Sequence, residues 1–374
     1  MTPRQAYIAL NMMDGLGPVR VRALVEALGG PQGVFEADEE ALLRAEGVGP
    51  RLAASIIDQR AALDPDAEEG KATKSDARIL TPLDEAYPER LKTIHDPPLA
   101  LYVRGTLEPR DRHAIAVVGS RRSTHYGNTV ADRLSYQLAK VGFTVVSGLA
   151  RGIDEAAHRG ALKGGGRTLA VLGSGLDRLY PPESEALAEE ISGHGAVISE
   201  FCMGREPDRT TFPYRNRIVS GISEGVLVVE AGFKSGALHT ADSALDQGRS
   251  VFAVPGRIDS QASKGTHQLL KAGARLVTGV DDIVEEFETL FPPAKKAEAD
   301  ARAPRPELSL TAEEEQIVGQ LIGTAMDVDG LARAAGLTAA QISSVLIGLE
   351  MKRVVRMLPG RRVELTVDLS DRET

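Results

Sequence analysis

Between Ala114 and about Glu288 the chain alternates short, nearly continuous apolar runs with longer stretches of helical periodicity. The runs are Ile115 to Val118, Thr144 to Val146, Leu169 to Leu172, Ala196 to Ile198, Val226 to Val229 and Val251 to Val254. A strand that is apolar on both faces has to be covered on both faces, so the pattern predicts a doubly wound α/β domain with a parallel sheet. Ahead of it, Arg78 to Thr106 reads as a β-rich lead-in. A helical unit runs to about Arg60 and is followed by an acidic stretch from Asp64 to Gly70. Pro292 to Pro306, rich in Pro, Ala, Lys and Glu, reads as a solvated linker. Beyond it, Leu308 to about Thr366 holds three short helical patterns and closes on a hairpin-like segment, Arg353 to Leu365. The division expected is 1–70, 78–290, a linker at 291–306, and 307–374.

A chain of 374 residues exceeds one ordinary domain, and its 42% hydrophobic and 26% charged fractions describe a globular protein with a sizeable core. There is no run of about 18 apolar residues and no charged-then-apolar amino-terminal pattern, so the expected location is the cytoplasm. Cys202 is the sole cysteine, and no Cys/His spacing suits zinc. Neither a metal nor another cofactor is expected. The formal net charge of -9 argues at first against a nucleic-acid partner. The first 70 positions, however, are clearly acidic, while arginines gather at a few central loops. A local basic groove is compatible with an acidic total.

The candidate chemistry sits where the strands end. The first strand runs into Gly119-Ser-Arg-Arg-Ser-Thr, the second into Ser147-Gly-Leu-Ala-Arg-Gly-Ile-Asp, and the third into Gly173-Ser-Gly-Leu-Asp. Small residues at the carboxyl ends of parallel strands let an anionic ligand approach backbone amides at helix starts. The first turn lacks the Gly-x-Gly-x-x-Gly of dinucleotide sites and offers Ser120 and Arg121 instead, which suits a phosphate held partly by side-chain charge. A structural ion pair is the other reading of Arg121. Gly148 lies on the second turn. Farther on, Arg209-Thr-Thr-Phe-Pro-Tyr-Arg-Asn-Arg combines cations with an aromatic ring. Phe212 can stack on bases of any identity while Arg209, Arg215, Asn216 and Arg217 hold the backbone, or it can plug the core. Lys234 and Ser235 close another strand just before a helix.

Two further stretches, Gly15-Leu-Gly-Pro-Val-Arg and Gly47-Val-Gly-Pro-Arg-Leu, resemble helix-hairpin-helix units of SAM-like domains. Their glycines serve either tight interhelical turns or phosphate approach, with Arg20, Arg22 and Arg51 as the cations to test. The carboxy-terminal pattern resembles a winged helix. Its candidate recognition helix, from Thr338, has no Lys or Arg before Lys352, which favours a protein contact or a weak duplex contact through Arg353 to Arg362.

Ala116-Val-Val-Gly-Ser-Arg, Val146-Ser-Gly-Leu-Ala-Arg-Gly-Ile-Asp-Glu-Ala-Ala-His, Ala170-Val-Leu-Gly-Ser-Gly-Leu-Asp, Phe212-Pro-Tyr-Arg-Asn-Arg and Val251-Phe-Ala-Val-Pro-Gly together resemble the DprA/Smf family of DNA-processing proteins. The likeness extends from Tyr87-Pro and Asp96-Pro-Pro-Leu to about Lys271-Ala-Gly-Ala. It implies an extended Rossmann-like fold, single-stranded DNA binding in natural transformation, loading of the RecA recombinase, and a homodimer built through the Rossmann domain. Duplex binding stays open. Carried over by motif, Ser120, Arg121, Arg209, Phe212, Arg215 and Lys234 are the implied DNA contacts. After Tyr180-Pro the chain departs from the family, with Pro182-Glu-Ser where a basic residue and an asparagine are often found.

A more distant likeness to nucleoside-monophosphate phosphoribohydrolases supplies the alternative, a nucleotide-cleaving Rossmann enzyme. Those enzymes carry Pro-Gly-Gly-x-Gly-Thr-x-x-Glu, whereas Lys234-Ser-Gly-Ala-Leu-His-Thr-Ala has neither the glycine pair nor the glutamate. Glu200 and Glu230 lie at strand ends, where such residues often cap helices or pair with arginine. His158 is expected to pack or bond within its helix, His239 has no catalytic partner spacing, and Cys202 reads as inert. A non-enzyme is therefore expected.

Overall fold

The computed structural model describes residues 1–287, 311–321, 326–352, 354–358 and 362–365, and the linker expected at 291–306 lies outside them. The chain forms two compact units, Met1–Leu290 and Phe291–Thr374.

The first unit opens with six helices: α1 (Pro3–Met12), α2 (Pro18–Ala27), α3 (Gly33–Glu36), α4 (Glu39–Leu42), α5 (Pro50–Arg60) and α6 (Pro65–Lys74). Gly15 and Gly47 take left-handed backbone, with φ of 76° and 75°, which a side chain would resist. Each turns the chain into a second glycine, Gly17 or Gly49, that N-caps α2 or α5 ahead of a proline at the first helical position. Leu10, Val21, Leu24, Leu42 and Ile56 form the core of this bundle. The bundle is anchored to the α/β domain by Glu68 on α6, a buried carboxylate that accepts from Tyr102 Oη at 3.0 Å and Met203 N at 2.7 Å.

The sheet contains β1 (Ala77–Leu80), β2 (Leu101–Gly105), β3 (Ala114–Val118), β4 (Thr144–Ser147), β5 (Thr168–Val171), β6 (Ala196–Ser199), β7 (Gly225–Val228), β8 (Ser250–Ala253) and β9 (Arg275–Leu276). Its order is β1-β2-β6-β5-β4-β3-β7-β8-β9. All pairings from β6 across to β9 are parallel, while β1 and β2 add antiparallel to the β6 edge. Each of the six apolar runs is a strand, and the lead-in supplies the antiparallel extension. Every residue of β3 to β7 is buried. Val146, Leu169, Val171 and Ile198 pack on one face, and Ala170, Leu172 and Val197 on the other.

The connecting helices are α7 (Glu89–Lys92), α8 (His125–Val141), α9 (Ile153–Lys163), α10 (Glu185–His194), α11 (Thr211–Ile222), α12 (Gly236–Asp246), α13 (Lys264–Lys271) and α14 (Asp281–Val284). Helix α8 shows how the sequence sets them. Thr124 caps it by accepting from Gly127 N, Gly142 ends it at φ 100°, and Val130, Ala131, Leu134 and Leu138 form its buried stripe. Helix α9 packs closely against it at Gly160, where a Cβ would lie 2.9 Å from the Asp132 Cα.

The second unit contains α15 (Ala312–Leu321), β10 (Met326–Asp327), α16 (Val328–Ala335), α17 (Ala339–Met351), β11 (Val355–Leu358) and β12 (Arg362–Leu365). Three helices and an antiparallel sheet of order β10-β12-β11 enclose Ile317, Leu331, Leu349 and Val363, which is a winged helix.

Candidate nucleic-acid interface

From β3 the chain winds outward through β4, β5 and β6, then returns to place β7 on the other side of β3. The loops after β3 and β7 therefore leave in opposite directions, and a crevice opens between them at the carboxyl edge. A groove of about 630 Å³ occupies it. The turns after β3, β4 and β7 and one face of α11 line it, bringing Ser120, Arg121, Gly148, Arg209, Phe212, Arg215, Asn216, Lys234 and Ser235 together.

The groove is cationic. Arg121, Arg122, Arg209 and Lys234 are exposed on its walls, and among the described residues none of them forms an ion pair with a carboxylate. Some arginines elsewhere in this unit, such as Arg90, Arg167 and Arg205, are paired, and others among the described residues, such as Arg22, Arg78 and Arg133, are not, so the groove is set apart by the convergence of its cations. The lining carboxylate is Asp154, which is buried beneath the second turn and accepts from Gly148 N at 3.1 Å and Ala150 N at 3.4 Å. Burial raises its pKa, opposed by the Arg215 charge and those two amides.

Arg215 forms the floor. It is 4% exposed, donates Nη1 to Val171 O, and its Nε–H has no partner. Burial pushes its pKa down to about 10, with Asp154 acting against the shift and Arg121 adding to it. The guanidinium passes directly under Gly148, where a Cβ would come within 2.6 Å of Cζ, so this turn has no room for a side chain. The next residue, Leu149, is fully buried at φ 55°, a left-handed conformation costly for a non-glycine and a common mark of a functional turn.

Phe212 is half-buried, neither a core plug nor free. The Arg121 guanidinium covers its ring at 4.6 Å from the centroid, and Tyr180 stands beside it at 5.9 Å with the rings tilted 52°. Phe212, Arg215, Asn216 and Val219 follow the i, i+3, i+4, i+7 spacing, so a single helical face carries all four into the groove. Asn216 Nδ2 also donates to Gly236 O at 3.3 Å, and Ser235 N-caps α12 by accepting from Ala237 N. Ser120 N donates to Glu230 O at 2.7 Å, and its hydroxyl accepts from Arg122 N at 3.1 Å.

Arg217 does not join them. It lies on the opposite face of α11, buried, gripping both Glu200 oxygens at 2.9 and 2.6 Å and Asp96 at 2.8 Å, with its guanidinium over Tyr214 at 4.1 Å. One step from Asn216 is 100° of helical rotation, which takes Arg217 out of the groove. Arg122 in the groove and Tyr180 beside Phe212 are not among the contacts singled out from the sequence. Arg122 is signalled by the doubled arginine after Ser120, whereas Tyr180 has no local signal and is recognised only by its place beside Phe212.

The other titratable candidates are committed elsewhere. Glu230 accepts from Thr124 N at 2.8 Å and Thr124 Oγ1 at 2.6 Å, and so fixes the turn after β3. His158 is fully buried and meets Thr168 Oγ1 on β5 at 2.7 Å, bonding to the neighbouring strand and not within its helix. His239 is exposed at the groove edge. The Cys202 thiol is half-buried and its pKa is raised, chiefly by burial. Among the described residues no cluster of three His, Cys, Asp or Glu side chains is placed to hold a metal ion, and no helix is long and apolar enough to cross a membrane.

In the helical bundle, Arg20, Gly47, Gly49 and Arg51 line a shallow cleft, outside which Arg22 lies. In the winged helix, Thr338 N-caps α17, Lys352 pairs with Glu314 at 2.6 Å, and Arg356 on the wing pairs with Glu364. Arg353 and Arg361 lie outside the described residues.

Comparison with known proteins gives the same arrangement a context. Residues 78–288 match the family model of DNA recombination-mediator protein A, residues 301–361 that of the DprA winged helix domain, and residues 7–61 that of the SAM-like helix-hairpin-helix tandem. The chain is 39% identical to Protein Smf of Synechocystis sp. over 75% of its own length and 72% of the relative's. It is 40% identical to Protein Smf of Escherichia coli, covering 76% and 77%. The crystal structure of DNA processing protein A from Streptococcus pneumoniae superposes with a TM-score of 0.67 at 34% identity, covering 76% of this chain and 98% of that one. The Helicobacter pylori DNA processing protein A, described for its single-stranded DNA binding mode, matches at 0.51 and 28%, covering 57% and 96%. The chain belongs to the family of DNA recombination-mediator protein A.

Proposed function

We propose that this protein holds single-stranded DNA in the switch-point groove, through phosphate contacts and stacking and without base specificity. The observation that carries the reading is four exposed cations without ion pairs lining one crevice together with an aromatic ring, above a buried guanidinium. Unpaired cations around a concave wall raise the local concentration of a polyanion, and a ring face accepts any base. Ser120, Arg121, Gly148, Arg209, Phe212, Arg215, Asn216, Lys234 and Ser235 make up the proposed site, with Arg215 acting from below.

The proposal extends to the cell. The protein shields incoming single strands in the cytoplasm and loads the RecA recombinase onto them during natural transformation, as a homodimer joined through its Rossmann-like domain and without catalysis. Its modules are 1–70, 78–290 and 307–374, the outer two serving partner or duplex contacts. A low-salt mobility shift on the full chain tests the core of this reading: single strands of mixed sequence should shift with equal affinity, and absence of any shift would exclude it.

A further inference from the structure

The crevice continues past Phe212. Beyond the Arg121–Phe212 contact lies a second compartment of about 240 Å³, which shares Arg121, Gly148, Phe212 and Arg215 with the first and adds Arg151, Tyr180 and Pro181. Its chemistry comes from Tyr180. That ring is 45% exposed, Tyr126, Tyr136 and Tyr214 are exposed to a similar degree, and what singles it out is its place in this compartment beside Phe212. Arg151 is ion-paired with Glu183 at the mouth, so its charge is already balanced and it acts as a wall. The exposed cations left to meet a phosphate are Arg121 and Arg122, on the boundary between the two compartments, with the buried Arg215 in the floor of both.

The rings of Phe212 and Tyr180 cannot clasp one base between them. A sandwiched base needs about 7 Å between parallel planes, twice the contact distance of stacked carbons, whereas these centroids are 5.9 Å apart and tilted by 52°. A base therefore stacks on one ring at a time, and on Phe212 one face already carries the Arg121 guanidinium. We propose that the second compartment is a separate nucleobase site, in which the base next along a bound single strand stacks on Tyr180. The phosphate joining the two nucleotides then sits at Arg121 and Arg122. This inference rests on the proposed single-strand binding and adds to it a footprint of at least two adjacent bases, with Tyr180 as the second platform.

The test uses the full chain and fluorescence anisotropy with thymidine oligomers of increasing length, alongside oligomers carrying one abasic position. Tyr180→Ala should weaken binding about tenfold with no change in salt dependence, the size expected for one lost stacking face. Tyr180→Phe should bind as the unaltered protein does. An abasic scan of the unaltered protein should find two adjacent sensitive positions. Equal affinity of Tyr180→Ala at every length, or a single sensitive position, overturns the second site, and a weakened Phe212→Ala in the same experiment leaves the first groove standing. If Arg121→Ala and Phe212→Ala also bind unchanged, both readings fall together.

Discussion

The Arg121 guanidinium lies over the Phe212 ring, 4.6 Å from its centroid, and so links the turn after β3 to α11. The pair brings a charge and an aromatic ring to one point, and substitution should separate their contributions. Arg121→Ala should lower the slope of log K against log salt by about 0.7, the value for one phosphate of a single strand. Phe212→Ala should cost about 1–3 kcal/mol of binding and leave that slope alone. Anisotropy titrations at several salt concentrations measure both.

Two glycines give opposite stability predictions. In a helix Ala is favoured over Gly by about 1 kcal/mol. At Gly70 of α6, where an added Cβ meets nothing within 4 Å, Gly70→Ala should raise the urea midpoint. At Gly160 the same change drives a methyl into the Asp132 backbone, and overpacking of about 1–3 kcal/mol outweighs the propensity gain. Gly160→Ala should lower the midpoint.

His158 makes stability depend on pH. Its Nε2 is buried without a partner, and burial first, then the Arg215 charge, lowers its pKa to about 3. The unfolded chain binds a proton here near pH 6.5 and the folded one does not, so the stability it contributes is lost as pH falls from about 6.5 towards 3. Between pH 7 and pH 5 the loss is about 2 kcal/mol. Urea unfolding of His158→Gln should show a correspondingly flatter pH dependence over that interval.

Glu230 gives a test between binding and hydrolysis. Its carboxylate is engaged by Thr124 N and Oγ1, so it acts as a brace for the turn that carries Ser120 and Arg121. Glu230→Ala should lower stability by roughly 1–3 kcal/mol, the cost of leaving buried partners unsatisfied, and weaken single-strand binding. The unaltered protein should release no free base from nucleoside monophosphates by chromatography. Base release that disappears in Glu230→Ala would assign the groove to an enzyme.

The parallel strands are legible because each is buried on both faces and so has a continuous apolar run, as in Ile115 to Val118. Less visible is the antiparallel pairing of β2 with β6, which brings together segments far apart in the chain and has no local signature. Within the site, Gly148 and Arg121 are marked by their turns, but nothing nearby in the chain shows that Gly148 roofs the Arg215 guanidinium. Arg217 illustrates the opposite problem. Reading Arg-Asn-Arg as a cluster ignores the turn of the helix, which sends its two arginines to different sides. The net charge of -9 also misleads, since it averages away a groove whose walls carry unpaired cations.

The ion cluster behind α11 governs the groove in front of it. Phe212, Arg215 and Asn216 are mounted on one rigid rod, and a few degrees of spin would swing all three together. Arg217, clamped to Glu200 and Asp96 on the far side, is the keel that prevents the spin. A residue outside the groove thereby sets the aim of three that line it, and loosening it should blur their alignment as a group.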